Sequence, residues 1–427
     1  MRQENKDSKW NFGALIADGS FFSIGVSFLE SNTIFPALIS QLTTNSVLIG
    51  LMSTIRNAGY LLPQLFVAGY AERLPLKKPL LRINGIISRL SVLVMAGITL
   101  FVAARNPGLA LIGLISANAI FALSDGIGGV PWIDMTAKVI PSNRRGRLFG
   151  VMQFIGGIGA FLAGFLIRQV LASESILFPR NYGILLSLGF LFLCFSFAGT
   201  MLVRETPGPV RSGSTFRSYL RSLPDAWRRN RLFQRMMFTR MLYAFLYLSL
   251  PFYAIFARQN LGFAESDLGF FVSAQMAGNI TAGLLWGYLG DRFGNRAVVR
   301  GVGVAALLTP AFALMAALLH KLGYTTMTML PILLLFFCIG GTLSGMWMGF
   351  TNYLLELVDD VDRPTYIGMM NTLTAPFTFL PVLGGLIIQR VSHEALFICT
   401  LAFVLAGSIM AYTLPEPRTP TQSHGGA

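Results

Sequence analysis

Between residues 14 and 414 the chain is a succession of apolar runs, each of roughly 20 residues or more, divided by short polar joints. A run of that length, wound as a helix, matches the hydrocarbon thickness of a bilayer. In lipid, every backbone N–H and C=O must be satisfied within the protein, and a helix does this within each run. The runs fall at about 14–39, 46–71, 79–103, 107–133, 148–171, 183–203, 234–257, 267–290, 298–319, 328–354, 366–389 and 395–414, here called spans one to twelve. Composition agrees with lipid as the solvent. Of the 427 residues 54% are hydrophobic and 12% charged, against about 25% charged in a soluble domain. Mean hydropathy is +0.62. The expected fold class is all-α integral membrane, with twelve transmembrane helices.

The formal charge of +14 would suggest nucleic acid in a soluble protein. Here the basic residues sit between apolar runs, so topology accounts for them and no nucleic acid is expected. With the N-terminus inside, 24 of the 33 Lys and Arg lie inside, 6 lie outside, and Arg56, Arg89 and Arg240 remain within spans. Both termini are therefore expected in the cytoplasm, with the plasma (inner) membrane as the location. The first ten residues are charged, and the run behind them carries Asp18 and Glu30 with no cleavage site, so it reads as a retained helix. Cys194, Cys338 and Cys399 all fall in apolar runs and read as packing residues. The sequence has no P-loop string, no H-E-x-x-H and no paired C-x-x-C. No enzyme, cofactor or metal is expected, and uphill transport must draw on an ion gradient or a second solute.

The two halves are alike. The string AGYAERLPLKK begins at Ala68 and GYLGDRFGNRA at Gly287, 219 positions later. Glu72 then matches Asp291, Arg73 matches Arg292, and Lys77 matches Arg296. PSNRRGRLFG ends at Gly150 and VDDVDRPTYIG at Gly368, which sets Arg145 opposite Arg363. Duplicated helix sets are a common transporter architecture, with the solute site at their interface. The expected division is a six-helix bundle over 1–203, a basic cytoplasmic loop over 204–233, a second bundle over 234–414 and a cytoplasmic tail over 415–427.

The joint after span eight resembles the signature G-x-L-x-D-R-x-G-R-[KR] of the Major Facilitator Superfamily, through Gly287, Asp291, Arg292, Gly294 and Arg296. The copy after span two is degraded: Ala68, Glu72 and Pro75 stand where the pattern has Gly, Asp and Gly. The span-five antiporter string G-P-x-x-G-G lacks its proline over Gly159–Gly164, and an Arg is absent from span four. A related string, Pro381 to Gly384 and Gly385, lies in span eleven. The resemblance implies two pseudo-symmetric six-helix bundles, alternating access, a cavity lined chiefly by spans one, four, seven and ten, and a gate closed by spans four, five, ten and eleven. Independently of the family, these acidic and basic residues at helix ends could form a bistable latch; the alternative is that they only fix topology.

Ionisable groups inside a span are costly and mark function by default. Depth suggests three pairings: Glu30 with Arg56, Arg89 with Asp125, and Asp18 with Arg240. A carboxyl withdrawn from water holds its proton more tightly, and a nearby guanidinium opposes this. Glu30, Asp125 and Asp18 are thus candidate proton sites, or else members of structural ion pairs; Asp18 alternatively lies near the surface. The three arginines are alternatively contacts for an anionic solute. Tyr243, Tyr247, Gln275 and Asn279 either line the cavity or bond helix to helix. Trp132 and Trp347 read as interfacial anchors. Gly156 and Gly164, and Gly341, Gly345 and Gly349, form small-residue stripes suited to close helix packing.

The leading expectation is a secondary transporter of a small solute, proton-coupled, with a lean to efflux. The alternatives are an importer of a sugar or organic anion, and a sensor or scaffold that moves nothing. Expected partners are the lipid bilayer, a small-molecule solute and protons, with the chain working as a monomer.

Overall fold

The computed structural model describes residues 2–71, 73–208, 224–225, 227–359 and 363–417. Ten helices among them are long and apolar enough to cross a bilayer. The helices of spans one and two are also long, at 26 residues each, but carry more polar side chains. With these two, twelve spans are present. Span two runs over Ser46–Ala71, three over Lys78–Phe101, four over Pro107–Val139, five over Ser142–Ala172 and six over Arg180–Leu202. Span eight runs over Asp267–Phe293, nine over Asn295–Lys321, ten over Met329–Leu357 and twelve over His393–Tyr412.

Three spans expected to be continuous are broken. Span one is Arg2–Ser27 followed, after a break, by Ile34–Ser40. Span seven is Arg231–Ala244, then 3-10 turns at Phe245–Leu248 and Leu250–Phe252, then Tyr253–Leu261. Span eleven is Arg363–Thr374, a 3-10 turn at Ala375–Phe379 and Leu380–Arg390. Pro251 and Pro376 cannot donate a backbone bond, which favours a change of winding in spans seven and eleven. In span one the Glu30 carboxylate accepts from the Asn32 backbone N–H at 2.6 Å and from its Nδ2 at 3.1 Å. The break in span one, residues 28–33, shifted by 218 positions, becomes 246–251 and falls inside the break of span seven.

In the N-terminal half, span one packs on five and six, two on four, and three on four and six. In the C-terminal half, eight packs on ten, nine on ten and twelve, and seven on twelve. The halves meet chiefly where span five crosses eight and span two crosses eleven. At the first crossing a Cβ on Gly164 would strike the Gly269 carbonyl, and one on Gly269 would strike the Gly164 carbonyl. At the second, Gly50 lies against the Pro381 carbonyl and Gly385 against that of Ser46. Within the C-terminal half, Gly341 faces Ala282, Gly345 faces Trp286 and Val302, Gly349 faces Val298, and Gly384 faces the Leu248 carbonyl. In the N-terminal half, Gly156 faces Ser20 and Ser23 of span one.

The apolar core shows which end is shut. One large cluster joins the halves around Phe28, Ile39, Tyr253 and Phe271, near the joints after the odd-numbered spans. Toward the other end each half keeps its own cluster, one around Leu148 and Val203 and one around Phe233 and Leu354. The first end is called the sealed face below, and the end with the basic joints is called the basic face.

Candidate functional site

A cavity of about 660 Å³ lies between the halves. It reaches from Ser31, in the break of span one, toward Leu81, Trp132 and Phe149 near the basic face. A deeper recess of about 320 Å³ contains Glu30 and shares Phe22, Ser23, Ser31, Arg56 and Gln153 with the main cavity. The expected lining was spans one, four, seven and ten. In fact spans one to six all contribute, span ten gives Trp347, and span seven gives none of the main lining. Large side chains fill the C-terminal half there instead: Tyr243 stands edge-on to Phe350 at 5.9 Å, and both are buried.

The in-membrane charges are paired differently from expectation. Arg56 donates from Nη2 to Asp125 Oδ2 at 2.6 Å, and its guanidinium lies 4.4 Å from the Phe121 ring centre. It does not bond Glu30, which instead accepts from Gln275 Nε2 at 2.9 Å across the halves. The Arg56 Nη1 atom is buried without a hydrogen-bond partner. Arg89, matched by depth to Asp125, turns to span six and donates to the Leu193 carbonyl at 3.1 Å and to Ser196 Oγ at 3.3 Å. Ser196 in turn donates to Asp18 at 2.7 Å. Asp18 is 5% exposed and so is buried among protein groups. It also accepts from Trp132 Nε1 at 2.6 Å. Trp132 is thus a cavity residue bound to an acid rather than an interfacial anchor. Arg240 meets no acid: it donates to Thr374 Oγ1 at 3.2 Å and to the Met346 carbonyl at 3.4 Å. Depth along a helix gives one coordinate, and the rotation that chooses the partner is set by packing.

Tyr243 is buried and donates to the Val299 carbonyl at 3.3 Å, a bond from span seven to span nine. Tyr247 sits half-buried in the break of span seven. Asn279 accepts from Gln153 Nε2 at 2.8 Å across the halves and borders the recess.

At the basic face Glu72 lies outside the described residues. Arg73 is exposed. The Lys77 ammonium lies 3.1 Å from Asp134 and donates to the Leu74 carbonyl. The acid that organises this corner is Glu205. Its carboxylate accepts from the backbone N–H groups of Lys77 and Lys78, where span three begins, and from Lys138 Nζ at 2.6 Å. In the second copy Gly294 holds φ +84°, a conformation costly for any residue with a Cβ. The Glu416 carboxylate packs against it, 3.9 Å from Arg296. Arg292 donates to the Tyr288 hydroxyl at 2.7 Å, Asp291 is exposed, and Gly287 faces Met348. Glu205 and Glu416 each follow the last helix of their half, the one sequence signal that would have found them.

The sealed face is bound by Glu265, from the joint between spans seven and eight. It accepts from Arg258 at 2.5 Å, from Gln41 and from the Tyr182 hydroxyl at 3.4 Å, the last two belonging to the other half. Gln389 adds a bond to Asn45 at 2.7 Å. None of these cross-half residues stands out in the sequence, because each is an ordinary polar group in a joint or at the end of a span.

Residues 241–427 match the family model described as the Major Facilitator Superfamily. The whole chain is similar in fold to transporters of that type. The nucleoside transporter NupG has a TM-score of 0.68 at 14% identity, over 95% of this chain and 98% of that one. A bacterial homologue of the iron transporter ferroportin, in its inward-facing state, has 0.70 at 13% over 95% and 98%. A D-xylose-proton symporter has 0.66 at 16% over 96% and 97%. The C-terminal part of the chain thus matches the Major Facilitator Superfamily model, and the whole chain shares its fold with solved transporters. Among curated proteins the chain is similar to the Multidrug resistance protein MdtL of Klebsiella pneumoniae (strain 342), with 27% identity over 182 residues. That match covers 40% of this chain and 43% of MdtL.

Proposed function

We propose that this chain is a proton-coupled exporter of a small solute and a member of the Major Facilitator Superfamily, working by alternating access as a monomer in the plasma membrane. The observation that carries the proposal is the cavity between the halves, shut at the Glu265 face and lined by Asp18, Arg56, Arg89 and Asp125. Buried charge in a membrane protein is retained where it does work on solute or ions. Two routes for the proton are available: Asp125, bonded to Arg56, and Glu30, bonded across the halves to Gln275. Protonating Glu30 would weaken a contact that helps hold the sealed face, which ties proton binding to opening. The division into bundles over 1–203 and 234–414, and the excess of basic residues at one face, support both termini in the cytoplasm. The cavity then faces the cytoplasm, ready to load cargo for export. The partial likeness to a protein named for multidrug resistance favours the same direction.

Proteoliposomes carrying a pH gradient test this. A panel of aromatic amines, carboxylates and uncharged analogues is offered, and proton and solute movement are followed together. Export requires that solute and proton move in opposite directions; movement in the same direction establishes import. Saturable flux indifferent to the gradient refutes coupling, and binding with no flux makes the chain a sensor.

A further inference from the structure

We infer that Arg240 is the anion-binding group of the C-terminal wall, and that the cargo is an organic anion with an aromatic body. The inference rests on the proposal that the cavity between the halves is the solute site. The other two in-membrane arginines have acidic partners: Arg56 bonds Asp125, and Arg89 reaches Asp18 through Ser196. Arg240 has no carboxylate within 4.0 Å among the described residues. Its two hydrogen bonds, at 3.2 and 3.4 Å, go to neutral acceptors. A guanidinium has five N–H donors in a planar fork suited to a carboxylate, sulfonate or phosphate. A cation held out of water without a counter-charge destabilises the fold unless one arrives.

Arg240 stands behind the lining of the cavity rather than in it, and its place in the fold sets it beside that lining. Shifted back by 218 positions, Arg240 falls on Phe22, which lines the cavity from the N-terminal half. Met346, whose carbonyl Arg240 bonds, is followed by Trp347, the cavity residue of span ten. Arg240 is itself half-buried rather than sealed. On the opposite wall Asp18 and Asp125 balance Arg56 and Arg89, and the third acid, Glu30, lies in the recess toward the sealed face, bonded to Asn32 and Gln275, which leaves Arg240 as the in-membrane cation with no acid beside it. Trp132, Phe149 and Trp347 offer flat apolar surface for a ring. An anion with an aromatic body satisfies both.

The test uses the purified full chain in detergent and three probes of one shape: naphthoate, naphthylmethanol and naphthylmethylamine. Binding is read from the thermal shift each produces. Naphthoate is expected to bind at least about tenfold more tightly than the other two, the scale of a charge-assisted bond. Arg240→Gln is expected to erase that preference, and Arg240→Lys to keep part of it. Without ligand, Arg240→Gln is expected to melt at or above the wild-type temperature, since it removes an unpaired charge. Equal binding of the three probes, a naphthoate preference that survives Arg240→Gln, or a clear fall in the melting temperature of Arg240→Gln would overturn the inference. No flux is measured, so failure of proton coupling leaves it standing, and coupled transport with an indifferent Arg240 refutes it alone.

Discussion

Arg145 and Arg363 make the same two hydrogen bonds, 218 positions apart in the chain. In each, Nε donates to the carbonyl five residues earlier, Ile140 or Val358, at 3.1 and 3.3 Å. In each, Nη2 donates to the carbonyl eight residues earlier, Ala137 or Leu355, at 2.6 and 2.9 Å. The last carbonyls of spans four and ten have no helical partner of their own, and a forked cation suits that negative end. One arginine in each half thus ties the end of one span to the start of the next.

Replacing either arginine with Ala is expected to cost about 1.5–3 kcal/mol, the range for charge-assisted bonds. The two losses should add, because these bonds lie in different halves and have no acceptor in common. Lys should restore little, since a point charge cannot fill both bonds. Thermal unfolding of the single and double variants in detergent checks all three statements.

Asp125→Asn leaves Arg56 withdrawn from water without its counter-charge, a change that costs about 3–5 kcal/mol. Arg56→Gln with Asp125→Asn removes both charges and should recover most of that loss. A double-mutant cycle on the unfolding transition measures the coupling. If the double variant also transports against a gradient, the pair is structural and the proton travels by Glu30.

Glu265→Ala removes the acceptor shared by Arg258, Gln41 and Tyr182. Loss of about 1.4 kcal/mol of seal shifts the balance of open and sealed forms tenfold. Spin labels at Thr44 and Val391, both exposed on that face, should report a longer and broader distance distribution in the variant. An unchanged distribution would show that the apolar cluster alone holds the face shut.

Glu205→Ala removes the cap of span three and the partner of Lys138, a loss of about 1–3 kcal/mol. Glu205→Gln keeps an acceptor oxygen and should lose less. Unfolding temperatures of the two variants separate the contribution of the cap from that of the charge.

Much of this architecture was legible in the sequence. Span two falls at the expected 46–71, since a bilayer-length apolar run bounded by polar joints leaves little freedom in placing a helix. The match of Arg145 with Arg363 was legible because duplication preserves spacing. The break in span seven was not, because nearly all its residues stay apolar and hydropathy is blind to winding; the break in span one holds Glu30, Ser31, Asn32 and Thr33, a polar patch that reads only as a charge inside a continuous helix. The partners of Arg56, Arg89 and Asp18 were hidden for a related reason. Each depends on which way a helix is turned about its axis, and in lipid an apolar side chain is acceptable on every side. Trp132 shows the cost: its composition suggests the interface, yet the Asp18 carboxylate draws it inward.

At the crossing of spans five and eight, Gly164 and Gly269 bring two backbones together, with the Ser273 hydroxyl bonded to the Phe161 carbonyl beside them. Such a crossing can act as a fulcrum. The halves can rock on it, so closing the cavity at one end and parting the Glu265 face at the other become a single movement. A methyl group at either glycine would act as a wedge, holding the protein to one side of its cycle while leaving every charge in the cavity in place.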